Sequence, residues 1–105
     1  MTATMKSDLP DPSQHLLELM QSINFGRIEN LPVRNGLPVF NPSPRIVREI
    51  KFGGENGPRP ERSASNFAIK AQVNEFFDQL VRLGHGTIEV LEIKHGLPFR
   101  MMIAE

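Results

Sequence analysis

Glu29 and Glu89 occupy the same place in two similar stretches, "FGRIENLPVRNGLPVF" at 25 to 40 and "HGTIEVLEIKHGLPFR" at 85 to 100. In each stretch the apolar residues step by three and then by two (Ile28, Leu31, Val33 and Ile88, Leu91, Ile93), which strict strand alternation does not place on one face. Either a β-bulge at Glu29-Asn30 and Glu89-Val90 keeps both glutamates outside, or the glutamates share a face with Leu31 and Leu91. In the second case two carboxylates could approach, raise one pKa and act as a general acid/base pair. In the first they are solvated side chains or members of an ion pair between units.

The three histidines invite a metal. His85 and His95 lie at opposite ends of one expected strand, however, which puts them about 30 Å apart. His15 has only the carboxylates Asp11 and Glu18 one helical turn away and no second histidine, so the spacing supports no metal site. "GGENG" at 53 to 57, with Arg59 and Arg62 beyond it, could cradle an anion through glycine amides, but it lacks the Gly-Lys-Ser/Thr ending of a phosphate loop. Ser63 and Ser65 are more simply helix caps than nucleophiles, and no Gly-x-Ser-x-Gly occurs. No cofactor is expected.

Charge narrows the classes further. Twelve basic and twelve acidic residues cancel, so no global field draws the chain to nucleic acid or anionic lipid. Locally, Arg45, Arg48, Lys51, Arg59 and Arg62 outnumber Glu49, Glu55 and Glu61. That bias is the one plausible nucleic-acid footprint. All seven aromatics are Phe, without the Tyr or Trp expected of an open stacking platform. With no cysteine there is no disulfide, thiolate nucleophile or thiolate metal site. Neither a spanning apolar run nor a leader with an apolar h-region is present, so a soluble cytoplasmic protein is expected.

The elements that would position these residues are written twice. Residues 1 to 10 are polar and aperiodic and read as a mobile tail. Asp11 as N-cap, Pro12 at N1 and Gln14 at N3 announce a helix from about 12 to 23, with Leu16, Leu17, Met20 and Ile23 as its apolar stripe. A hairpin follows, turning at Asn35-Gly36 and returning over Leu37 to Phe40. Residues 45 to 52 read as a third strand, with Ile46, Arg48, Ile50 and Phe52 on one face. After the glycine and proline loop 53 to 65 comes a second helix, carrying Ile69, Val73, Phe76, Phe77, Leu80 and Leu83 and ending at Gly84. Its hairpin runs from Gly86 through a "KHG" turn to a return strand over Leu97 to Ile103.

The two units, 11 to 52 and 66 to 105, register at a constant offset of 60, with seven identities in the sixteen residues of the hairpin stretches. An internal duplication is the natural reading. A helix plus hairpin cannot bury its apolar face alone, so two units side by side should share one core. The expectation is an α+β domain: two helix-plus-β-hairpin repeats forming one antiparallel sheet of four to five strands, with two helices on one face. The strand at 45 to 52 has no evident counterpart in the second unit.

Leu16, Leu17, Phe25, Gly26, Ile28 and Gly36, repeated in part by Leu80, Gly86, Ile88 and Gly96, give an order that resembles the short bacterial YezD-like proteins of unknown function. The resemblance covers each unit once. It implies a fused pair of such units and supplies no activity.

A small non-catalytic interaction or assembly module follows, acting through a sheet edge or face as a homodimer or with a protein partner. The unmatched strand at 45 to 52 is the motive, since an edge needs a partner or protection. The alternative is a nucleic-acid-binding regulator using strand 45 to 51 and loop 53 to 62. Glu29, Glu89, Arg45, Arg48, Lys51, Arg59 and Arg62 are the candidate contact residues.

Overall fold

Leu16, Leu17, Met20 and Ile23 recur at helical spacing and are at most 1 % exposed, and they form the buried stripe of α1 (Asp11–Ile23). Burying each such side chain is worth about 1.5–3 kcal/mol, far more than any propensity term in the helix. The computed structural model, which describes residues 5–53 and 71–104, continues with β1 (Gly26–Arg34), β2 (Leu37–Pro38) and β3 (Arg45–Arg48). Then come α2 (Ala71–Leu83), β4 (Gly86–Lys94) and β5 (Leu97–Ile103). Most of the expected loop 53 to 65, with Arg59, Arg62, Ser63 and Ser65, lies outside the described residues, as do Phe67 and Ile69.

The start of α1 departs from expectation by one residue. Pro10 is the N-cap and Asp11 already lies in the first turn, where its charge still favours the helix dipole. Pro10 has no N–H for Gln14 to cap, so the Gln14 amide side chain donates instead to the Leu9 carbonyl at 2.8 Å. Residues 5 to 10 are also not a free tail. Lys6–Asp8 form a short 3-10 turn, Leu9 joins the core at 9 % exposure, and Lys6, 4 % exposed, lays its ammonium on Glu18 of α1.

The sheet is antiparallel and curled, in the order β2-β1-β4-β5, with β3 beside β2 on the same flank of β1. Ile28, Leu31 and Val33 of β1 and Ile88, Leu91 and Ile93 of β4 point into one core with the stripes of both helices. The two helices therefore cover one face, and the fold is α+β. The three-residue steps are accommodated by bulges. Asn30 takes a φ of +57°, and the β4–β5 register slips by one residue between Ile88 and Val90. Both strands thus keep two consecutive residues off the core face, and both glutamates stay outside.

Six of the seven β1–β4 pairs are unchanged when n is replaced by n plus 60, Glu29 with Val90 being the exception: Ile28 faces Leu91 and Leu31 faces Ile88, Gly26 faces Ile93 and Val33 faces Gly86. The hairpin turns obey the same exchange. Asn35 and Gly36 (φ +53° and +75°) match His95 and Gly96 (+56° and +73°), the signature of two-residue primed turns. Gly36 N–H donates to the Gly84 carbonyl at 2.8 Å, and Gly96 N–H donates to the Asn24 carbonyl at 2.9 Å. Each turn is thereby pinned to the end of the other unit's helix.

Two expectations are corrected by the outer strands. The third strand runs only from Arg45 to Arg48, because its partner β1 begins at Gly26, opposite Arg48, and leaves residues beyond 49 nothing to pair with. Ile50 and Phe52 are accordingly 57 % and 100 % exposed. Nor is this strand without a counterpart. Ile46 faces Ile28 as Ile103 faces Ile88, so β3 takes the place that the end of β5 takes in the second unit. Leu37 and Leu97 differ by 60 but Ile46 and Ile103 by 57, so three extra residues separate Leu37 from Ile46. They fall in the stretch 39 to 44, which includes a cis Asn41-Pro42 bond and shortens the return strand expected over Leu37 to Phe40 to two residues. Among the described residues no helix is long and apolar enough to cross a membrane.

Candidate interaction surface

Directly opposed residues of an antiparallel sheet share a face, so the register writes out the surface opposite the helices. One row across the strands reads Arg45, Glu29, Val90, Met102; the next reads Val47, Arg27, Glu92, Arg100. Charged residues interleave with the apolar floor Val47, Val90 and Met102 in a groove of about 910 Å³. Phe25, Glu49, Lys51, Lys94 and His95 close its other end.

The charges on this face are paired. Glu29 accepts from Arg27 Nε at 2.6 Å and lies 3.5 Å from Arg45 Nε, while Glu92 accepts from Arg100 Nε at 2.6 Å. The hydrogen bond from Arg27, with the nearby charges of Arg27 and Arg45, holds the Glu29 carboxyl below its ordinary value of 4.5. A shared proton would require the opposite shift. The residue facing Glu29 is Val90, and Glu89 lies at the exposed bulge, so the two glutamates that repeat in the sequence do not form a carboxylate pair.

The remaining candidates are dispersed. Arg48 donates to the Ser22 carbonyl at 3.3 Å, and Lys51 lies 3.7 Å from Glu49 and 5.9 Å from the centre of the Phe25 ring. His85 Nδ1 accepts from the Asn35 N–H at 3.3 Å, His95 meets Phe25 edge-on at 4.8 Å, and His15 meets Phe40 at 4.5 Å. Among the described residues no group of three histidine or acidic side chains could hold a metal ion.

What sequence reasoning passed over is β5. It is the last strand in the sheet order, and among the described residues no strand pairs with its outer side. Phe99 bulges out between the pairs Glu92 with Arg100 and Ile93 with Pro98, is 53 % exposed, and carries the Lys94 ammonium 4.0 Å above its ring. Met102 is 49 % exposed, and Met101 and Ile103 are half-buried against the core. Beside it, a cleft of about 300 Å³ opens between α2 and β5, bordered by Phe76, Leu91, Pro98, Phe99 and Met101. The signal was present in "LPFRMMI", seven residues with one charge and no lysine, Pro98 and the bulge at Phe99 being its only edge breaks.

Fold and surface together define a two-layer α+β protein with a charge-paired outer sheet face and one apolar sheet edge. The chain matches no family model, no curated protein and no solved structure.

Proposed function

We propose that this chain is a non-catalytic interaction or assembly module that engages a protein partner through the open edge of β5 and the adjoining outer sheet face. The observation that carries this is an apolar edge with which no strand pairs among the described residues: seven residues, exposed Phe99 and Met102, and a single charge, Arg100, already engaged by Glu92. The opposite flank, first expected to be the contact edge, is poorly suited. It consists of two short strands with an irregular stretch between them, and Arg45 and Arg48 blunt it.

Pairing of the cations supports a protein partner over the nucleic-acid alternative. Arg45, Arg48 and Lys51 each have an acceptor within the chain, and a phosphate would have to displace Glu29 and Glu49. Descent of the two units from a YezD-like module belongs to the same proposal, supported by the six β1–β4 pairs that survive exchange of n with n plus 60.

Sedimentation and affinity capture with the intact chain and with Phe99→Lys test the module. Complexes formed by the intact chain and lost with the variant are expected. A chain that stays monomeric up to about 300 µM, well above the affinity expected of a small interface, and captures nothing contradicts it. Steeply salt-sensitive binding to mixed DNA or RNA would favour the nucleic-acid alternative instead.

A further inference from the structure

We infer that the partner on β5 is a second copy of this chain, paired strand to strand and antiparallel with the two-fold axis at Met101. This rests on the module proposed above and adds the partner and the register.

The geometry of the flanks sets the stoichiometry. With the β3 flank short and charged, the described residues offer one long apolar edge, and one self-complementary edge per chain closes at two copies. The register follows from faces and charges. Directly opposed residues must share a face, so a two-fold axis perpendicular to the sheet falls on a residue and not between two. Met101 faces Leu91 on the core side, whereas Arg100 and Met102 face Glu92 and Val90 on the outer side. An axis at Arg100 would set that guanidinium against its own copy. An axis at Met102 would keep only Met101, Met102 and Ile103 of β5 in the ladder. At Met101 the pairing spans Phe99 to Ile103, with Phe99 opposite Ile103 and Arg100 opposite Met102, and no like charges meet.

The surfaces suit this register. Phe99 and Met102 lose the exposure that nothing else among the described residues covers. The cleft between α2 and β5 lies beside Phe99, where this register sets Ile103 of the second copy. Edge pairing over five residues buries less than the roughly 1,200 Å² of a standard interface, so the dimer is expected to be weak, with a Kd in the micromolar range or above.

Charge reversal at one position separates this pairing from general stickiness. In the dimer Met102 faces Arg100 of the other copy twice. Met102→Lys should therefore weaken the dimer, and Met102→Glu should tighten it, each by about 2- to 30-fold for two cross-strand pairs. Sedimentation equilibrium from about 10 to 300 µM spans the affinity expected of such a small interface. Far-UV circular dichroism of the variants confirms folding, which the half-exposed Met102 site should allow.

Because the chain has no cysteine, single cysteines report the register. Opposed Cα atoms about 4.5–5.5 Å apart fall within disulfide reach. Met101→Cys should cross-link to itself, and an equimolar mixture of R100C and M102C should cross-link where neither does alone.

A monomer throughout, with no M101C cross-link, overturns the inference, as does a shift in the same direction for both charges at 102. Amide exchange of residues 99 to 103 in that monomer then separates the two levels. Fast exchange on the outer side leaves the edge open for another partner, and only the second copy falls. Slow exchange means the edge is covered within the chain, and the module reading falls with it.

Discussion

Gly26 and Gly86 are the same residue at the same place in the two hairpins, and an alanine in each should have different consequences. At Gly26 a Cβ would stand 2.1 Å from the Val47 carbonyl oxygen and 3.0 Å from both Arg48 Cα and Ile23 Cγ2. Two of these are backbone atoms, so β3 has to move. The cost is bounded by the cheaper of two responses. Forcing a methyl into a packed site costs about 1–3 kcal/mol. Releasing β3 instead gives up a four-residue ladder whose side chains are largely exposed and whose hydrogen bonds are worth about 0.5–1.5 kcal/mol each net. Either way Gly26→Ala should destabilise by about 1–3 kcal/mol. For a domain of this size that lowers Tm by about 4–20 °C. At Gly86 a Cβ meets only the end of the Leu83 side chain among the described residues, at 3.2 Å, because β5 ends opposite Ile88, two residues short of Gly86. There the alanine gains about 0.4–1 kcal/mol from a less disordered unfolded chain, against a small adjustment of Leu83. Thermal and urea denaturation of both variants, with amide exchange over Arg45 to Glu49, measures the difference. Equal destabilisation, or unchanged protection of β3 in Gly26→Ala, would refute the reasoning.

Acid titration should single out Glu29. Its folded pKa lies below the unfolded one, so its stabilising contribution is present above about 4.5 and is lost as pH falls through the folded value. Glu29→Gln should flatten that acid limb in pH-dependent denaturation, and an unchanged profile would dissociate the ion pairs from stability. Leu31 and Leu91 are fully buried at the centre of the sheet, and alanine at either should cost about 2–5 kcal/mol by chemical denaturation. Gly36→Ala combines a φ of +75° with a 3.0 Å approach to Val81 Cα, and it should lower stability by more than the 1–2 kcal/mol typical of a left-handed residue alone, again read from the denaturation midpoint. Lys6→Met should stay within about 1 kcal/mol of the parent, because it keeps the buried apolar stem while the freed Glu18 is 44 % exposed.

Several elements were legible because their causes are local. The stripe of α1, the Asn35-Gly36 turn and the three-two stepping around Glu29 and Glu89 depend on spacing that the chain carries with it. The missed features depend on neighbours. The length of β3 was set by where β1 begins, and Gln14 capped Leu9 because Pro10 stands before it without an N–H. Phe99 and Met102 resembled core residues in the sequence, and only the strand order placed them at an edge. Loop residues Arg59 and Arg62 lie outside the described residues and remain expectations.

By itself, then, the sequence determined where the helices and the hairpin turns fall, since their apolar stripes and turn residues are local signals. The tertiary structure decided what equal residues become. Glu29 is clamped by Arg27 and Arg45 while Glu89 stands exposed, and Gly26 lies against β3 while Gly86 does not. Periodicity encodes the face a side chain takes, but its neighbours across the sheet come from distant strands. Here Glu29 has Arg45 opposite it on β3, whereas Glu89 falls in the register shift between Ile88 and Val90 and has no partner on β5.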